Sequence, residues 1–328
     1  MPWRLPAQRR VWSLATSVLL ALCLLPTLPG ATSAGAVAVT PQPSTLARLV
    51  ETVPHPLVPF APITAPATGG SALTPDERAA LDERIAALGE GVELGVAVQD
   101  LRTGTTYSHN AGERLPSASV AKLTVLAMLH LRAAEEGRGL TSVELAQAEV
   151  MIRYSDNDVT DGLYARMGFT DGFVRHAEAL GFTGTEPHPK GSWGSTMTTP
   201  ADQIRLLRAL YTDEGPLTDD ARAHIRGLME SVAPEQAWGV SAAASAGDLV
   251  GLKNGWTPRE SNGGLWNINS VGYVVGQDRE YLIAVMSDRH TDYVTGTALV
   301  EELVAEVVRT LEAPAPHEEA TFAGAPPH

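Results

Sequence analysis

The chain has 328 residues, a formal net charge of −14 and a single cysteine, Cys23. An acidic balance of that size excludes nucleic acid and anionic membrane surfaces as partners, because both would repel it. One cysteine excludes a disulfide framework and a cysteine-ligated metal centre.

The first 36 residues read as a secretory signal peptide. Arg4, Arg9 and Arg10 form a basic start, Val11 to Leu25 runs without charge or proline, and Ala34-Gly35-Ala36 gives a small-x-small cleavage pattern. The apolar run of about 15 residues is shorter than the roughly 20 a spanning helix needs, and Pro26 and Pro29 interrupt any continuation of it. The Arg9-Arg10 pair leaves the general and twin-arginine export routes both open. Cys23 follows Leu22 inside the apolar run, whereas a lipidated cysteine normally follows Gly, Ala or Ser, so lipidation is not expected. Cleavage removes three arginines and no acid, leaving −17 and no cysteine. The mature protein is expected to be secreted or extracytoplasmic, monomeric, and held together by a hydrophobic core.

Residues 37–72 carry Pro41, Pro43, Pro54, Pro56, Pro59, Pro62 and Pro66 and end near Gly69-Gly70, the composition of an extended linker. A disordered tail is expected over 313–328. Between them, residues 73–312 suffice for one sizeable domain.

That domain opens with Thr74-Pro75-Asp76-Glu77, a capping-box start for a helix reaching about Leu88. Val92 to Gln99 and Thr105 to Tyr107 predict a hairpin across Asp100–Gly104. Ser119 to Ala134 lacks Gly and Pro and predicts a helix buried on nearly every side. Thr141 with Glu144 repeats the capping box, and Thr199-Pro200-Ala201-Asp202 starts another helix. Further helices are expected over 220–232 and 296–311, and strands over Leu265–Val275 and Glu280–Met286. Strands at both ends with helices between predict an α+β fold, its antiparallel sheet built from the N- and C-terminal parts of the domain and flanked by helices, with a helical subdomain.

Lysine usage gives the first chemical signal: against 21 arginines stand only Lys122, Lys190 and Lys253. Arginine stays charged in a protein, whereas a lysine can be driven neutral and serve as a base. Ser119-Val120-Ala121-Lys122 places a hydroxyl and an amine three residues apart on one helix face. Neutrality near pH 7 requires the Lys122 pKa to fall by roughly three units, about 4 kcal/mol, which burial and a second ammonium such as Lys253 can supply. Two further segments are polar in isolation, Ser155-Asp156-Asn157 after a helical stretch and Lys253-Asn254-Gly255 after Asp248–Leu252; each taken alone reads as a turn. The nine histidines show no paired metal spacing.

In this order, Ser-x-x-Lys, Ser-Asp-Asn and Lys-x-Gly resemble the signature of class A β-lactamases and penicillin-binding D,D-peptidases. The similarity runs from about Val92 to Leu311. It includes Val96–Asp100 with Gly104 and Asn110, and Thr198-Thr199-Pro200, which resembles the end of the family's omega loop. The resemblance implies Ser119 as the acylated nucleophile, Lys122 as its proton acceptor and Ser155 as the proton relay to the leaving nitrogen. It implies that Asn157 positions the substrate amide, that Lys253, Asn254 and Gly255 receive the substrate carboxylate, and that the N–H groups of Ser119 and Trp256 form an oxyanion hole. Trp256 is expected to border the cleft. Glu186-Pro187 resembles the start of the omega loop, with Glu186 as the deacylating base, but Lys190 stands where that loop carries Asn. Asn254 stands where the family usually has Thr.

The resemblance thus implies a serine hydrolase acting on β-lactam or D-Ala-like amides with weak deacylation, without cofactor or metal. A D,D-peptidase of cell-wall peptides and a binding protein of the same fold that does not turn over are the alternatives.

Overall fold

Helix starts follow the caps read from the sequence. In the computed structural model, which describes residues 73–313, α1 (Pro75–Leu88) and α3 (Ser142–Arg153) each begin at a complete capping box, Thr74 with Glu77 and Thr141 with Glu144. Each box satisfies two otherwise unpaired N–H groups. The signal peptide, the proline-rich 37–72 segment and the tail beyond 313 lie outside the described residues.

The hairpin forms as β1 (Glu93–Asp100) and β2 (Thr106–His109). The C-terminal strands are β5 (Leu249–Pro258), β6 (Trp266–Val275) and β7 (Glu280–Asp288). Together they make a five-stranded antiparallel sheet ordered β2-β1-β7-β6-β5, so the N-terminal strand β1 lies directly against the C-terminal β7. The fold is α+β, with its sheet drawn from both ends of the domain as the sequence predicts. Lys253-Asn254-Gly255 lies inside β5 rather than in a turn, and β5 is an edge strand.

Because side chains alternate across a sheet, its two faces belong to two cores. Val271, Tyr273, Leu282, Ala284 and Met286 pack with α2 (Ala121–Glu135), α6 (Pro200–Tyr211) and α7 (Asp219–Glu230). Ile268, Val274, Ile283 and Val285 pack with α1 and α8 (Tyr293–Leu311). Helix α2 is buried from Ala121 through Leu129, matching its uninterrupted apolar sequence. Each such Leu or Val contributes about 1.5–3 kcal/mol by leaving water.

Two helices were not expected, α4 (Asn157–Met167) and α5 (Phe169–Ala179). Gly162 and Gly172 weaken their helical pattern, and Gly168, at φ 99°, separates them. A two-stranded ribbon of β3 (Leu115–Pro116) and β4 (Met197–Thr198) ties the segment before Ser119 to the start of α6.

Candidate active site

Ser119 lies in a short 3-10 helix, Ala118–Val120, that leads into α2. The preceding Ala118 has φ 44°, a left-handed conformation that an alanine adopts only when its surroundings impose it. Two fully buried asparagines of β6 fix this turn. Asn269 Nδ2 donates to the carbonyls of Pro116 (2.8 Å) and Ser117 (3.0 Å), and Asn267 Nδ2 donates to Pro116 O (2.6 Å). On the open side of β6, strand β5 passes so close that a Cβ on Gly255 would stand 2.6 Å from Ser117 O and 2.7 Å from the nitrogens of Ser119 and Val120. Only glycine fits there.

The amine of Lys122, on the first turn of α2, is buried and donates to Ser155 O, to Ser155 Oγ (3.1 Å) and to Asn157 Oδ1 (2.7 Å). Ser155 stands between α3 and α4 with φ 59°. Asn157 begins α4, whose N-cap Asp156 accepts the N–H of Val159 at 2.8 Å. From the opposite wall, Lys253 Nζ also reaches Ser155 Oγ at 3.1 Å, and donates to Asn254 O at 2.7 Å. One hydroxyl is therefore shared by two buried amines. Burial pushes the Lys122 amine down to about 8, against the pull of Asp156 and Asp161; burial, reinforced by the charge of Lys122, pushes Lys253 well below the ordinary lysine range. Among the described residues the hydroxyl of Ser119 enters no side-chain hydrogen bond, and its side chain is half-buried, open to an incoming group.

A serine hydroxyl three residues before a buried amine that is itself bonded into a lysine–serine–lysine cluster supplies the parts that acyl transfer through a serine ester requires: a hydroxyl, an amine able to take its proton, and a relay. Comparison with known proteins agrees. The model of the β-lactamase enzyme family matches residues 78–148 and 132–311, well over half the chain. The chain belongs to the β-lactamase enzyme family. Among solved structures, PBP-A has 18% sequence identity and a TM-score of 0.62, covering 71% of this chain and 96% of that one. A class A β-lactamase from Bacteroides cellulosilyticus has 18% identity and a TM-score of 0.61, covering 72% of this chain and 98% of that one. Those likenesses concern the fold. Curated relatives from Mycobacterium bovis and Mycobacterium tuberculosis, named "Putative lipoprotein LppW", are 29% identical over 252 residues, 75% of this chain and 78% of theirs.

In this β-lactamase-family chain, three residues expected at the site are turned elsewhere. On β5 the odd positions Gly251, Lys253 and Gly255 face Tyr273, Ser155 and the Ser119 turn, so the even positions lie on the other face, toward Trp238 and α8. Asn254 donates to the carbonyls of Gln236 (2.8 Å) and Trp238 (3.0 Å) and is fully buried, and the Trp256 ring packs 5.8 Å from Trp238 and 5.7 Å from Tyr293. The Asn254 side chain therefore points away from Lys253 and Ser119, which corrects the expectation that it receives the substrate carboxylate; the role expected of Trp256 was its backbone N–H, which the placement of its ring leaves open. Glu186 is paired with Met197 in an antiparallel bridge, N–H to carbonyl at 2.8 and 2.9 Å, at the neck of the 187–196 loop. Its carboxylate, largely exposed, bonds Arg114 at 2.5 Å. The loop carries a different side chain to the amine: the Trp193 ring lies 4.8 Å from Lys122 Nζ.

Trp193, Asp161, Asn267 and Asn269 were not singled out by sequence. The two asparagines left a signal, polar residues alternating within an otherwise apolar strand, since a buried amide needs partners. Trp193 left none, because a tryptophan in a glycine-rich loop reads as ordinary packing. No group of three or more metal-ligating side chains occurs among the described residues.

Proposed function

We propose that the protein is an exported serine hydrolase of the penicillin-binding type, which becomes acylated on Ser119 by β-lactams or D-Ala-like amides and releases the acyl group slowly. The observation that carries this reading is the single Ser155 hydroxyl, 3.1 Å from both Lys122 and Lys253, beside the Ser119 turn. Neutral Lys122 takes the Ser119 proton as Oγ bonds the carbonyl carbon, and the oxyanion is met by the N–H groups of Ser119 and Trp256. Collapse breaks the C–N bond. Ser155 gives its proton to the departing nitrogen and recovers one from Lys122, so the serine proton ends on the leaving amine. Lys253 offers its amine to a substrate carboxylate, whose negative charge on binding favours the ammonium form.

Hydrolysis of the ester then requires a base beside the attacking water. Glu186, the residue expected to serve, is held by Arg114. That favours a D,D-peptidase of cell-wall peptides, slowly released by β-lactams, over an efficient β-lactamase. Location in the cell envelope is supported by the N-terminal sequence and by the lipoprotein name of the mycobacterial relatives.

Stopped-flow mixing with nitrocefin tests the reading, together with D-Ala release from an acyl-D-Ala-D-Ala peptide. A burst of one equivalent followed by slow turnover, with D-Ala release, is expected. Rapid sustained nitrocefin turnover would make the protein a β-lactamase, and the absence of any burst or release would leave only a binding role.

A further inference from the structure

The Lys122 amine spends its protons on Ser155 O, Ser155 Oγ and Asn157 Oδ1, and the face of the Trp193 indole closes over it at 4.8 Å. The ring is fixed from two directions. Its Nε1 donates to Asp161 Oδ1 at 2.6 Å, and Asp161 lies one helical turn beyond Asn157 on α4, so the helix that receives a proton from Lys122 also pins the ring above it. On the chain side, Trp193 opens a short 3-10 helix that ends against Thr196, whose carbonyl accepts the N–H of Ser117 at 2.9 Å, two residues before the nucleophile. The indole is thus tied both to α4 and to the Ser119 turn.

An indole in this position does two things. Its apolar body takes the volume through which water would reach the amine from the loop, and its π-face is an attractive seat for the ammonium, typically worth about 0.5–2 kcal/mol. No carboxylate of the described residues bonds Lys122 or Ser119, so a buried amine is the group that could activate a water here, and Lys122 is the one the ring covers. We propose that Trp193 is a positioning residue that shields Lys122, and the acyl group carried by Ser119, from hydrolytic water, and that Asp161 holds it in place. The inference rests on Ser119 as the acylated residue. In the blocked step, the oxygen of water bonds the acyl carbon, a water proton passes to Lys122, the C–Oγ bond breaks, and Ser119 recovers its proton from the amine. The acid is released.

The test is the lifetime of the penicillin G adduct, followed by intact mass, in wild type, Trp193→Ala, Trp193→Phe, Asp161→Ala and Asp161→Asn. Ala at 193 admits water and should shorten the lifetime about tenfold or more, the lower part of what base-assisted attack supplies. Phe restores a ring face and should return the lifetime toward wild type. Asp161 is exposed, so its replacement does not threaten the core. Ala there frees the indole and should shorten the lifetime, whereas Asn keeps an acceptor for Nε1 and should preserve it. A second readout is the pH profile of acylation. Water reaching Lys122 in Trp193→Ala weakens the burial effect that dominates its titration, so the midpoint should move upward; a merely structural role for the ring would leave it in place. Equal lifetimes in wild type, Trp193→Ala and Asp161→Ala, with equal midpoints in wild type and Trp193→Ala and all three forming the adduct, would overturn the inference; the Asp161 variants are read by lifetime alone, since that carboxylate acts on Lys122 by its charge. Failure of every protein to form an adduct would instead remove the acyl-Ser119 reading on which it rests.

Discussion

Lys122 is the residue on which the chemistry turns. With its amine pushed to about 8, roughly a tenth is neutral at pH 7, against well under a thousandth for a lysine at its ordinary value near 10.4. Acylation of a neutral ester should therefore rise about tenfold per pH unit below 8 and level off above it; stopped-flow rates from pH 6 to 10 check this, and a flat profile would contradict it. Lys122→Arg keeps the charge but cannot give up the proton, so acylation should fall by about 10² or more in the folded protein, with some loss of stability because the site is buried. Lys253→Ala should slow acylation by substrates bearing a carboxylate more than by neutral esters, and equal losses would remove that role. Ser119, Lys122, Ser155, Asn157 and Lys253 were legible as candidates through the resemblance of three short motifs, taken in order, to a family signature; only the Ser119–Lys122 spacing carried geometry by itself, and the other two segments taken alone read as turns. Asn254, Trp256 and Glu186 were legible as motif positions but not as side-chain directions. Those directions depend on which face of β5 meets the Ser119 turn, and on an arginine 72 residues away in sequence.

At the scale of elements, two contacts fix the site. Gly255 lets β5 touch the nucleophile turn, and a methyl group there would meet three backbone atoms at 2.6–2.7 Å. Gly255→Ala should cut acylation by about a hundredfold, the size of effect expected when reacting groups shift by about 1 Å; a rate within a few-fold of wild type would show that the strand can give way. Asp202, fully buried on the first turn of α6, accepts from Thr183 N (3.1 Å), Gly184 N (2.8 Å) and Thr185 Oγ1 (2.7 Å), so it anchors the segment that enters the 186–197 loop. Asp202→Ala strands these donors and should cost about 3 kcal/mol or more, read as a fall in the denaturation midpoint. Helix starts were readable because Thr74, Thr141 and Thr199 act within four residues of themselves. The pair α4 and α5 was not, since their stability comes from packing on α2 rather than from their glycine-containing sequences.

The whole molecule joins two cores across one sheet, and its polar weak point lies where α2 meets α7. His130 Nε2 and His224 Nδ1 are 3.0 Å apart there. Burial pushes both histidines below their ordinary value, His130 to about 4 with the added charge of His224. In the unfolded chain each takes a proton near 6.5, so below that pH the unfolded state binds more protons than the folded one. The contribution of this histidine pair to stability should be complete above about pH 6.5 and be lost as the pH falls toward 4. Calorimetry at pH 7.5 and 5 checks this, and His130→Gln should flatten the decline. Since α2 also carries Lys122, acid should suppress acylation as it loosens the helix. The measurement that bears most directly on acyl transfer by Ser119 is the intact mass of the protein after mixing with penicillin G. A stoichiometric, long-lived adduct that maps to Ser119 and is absent in Ser119→Ala is the expected result. An unchanged mass with penicillin G and with acyl-D-Ala esters, or an adduct that survives in Ser119→Ala, would contradict it.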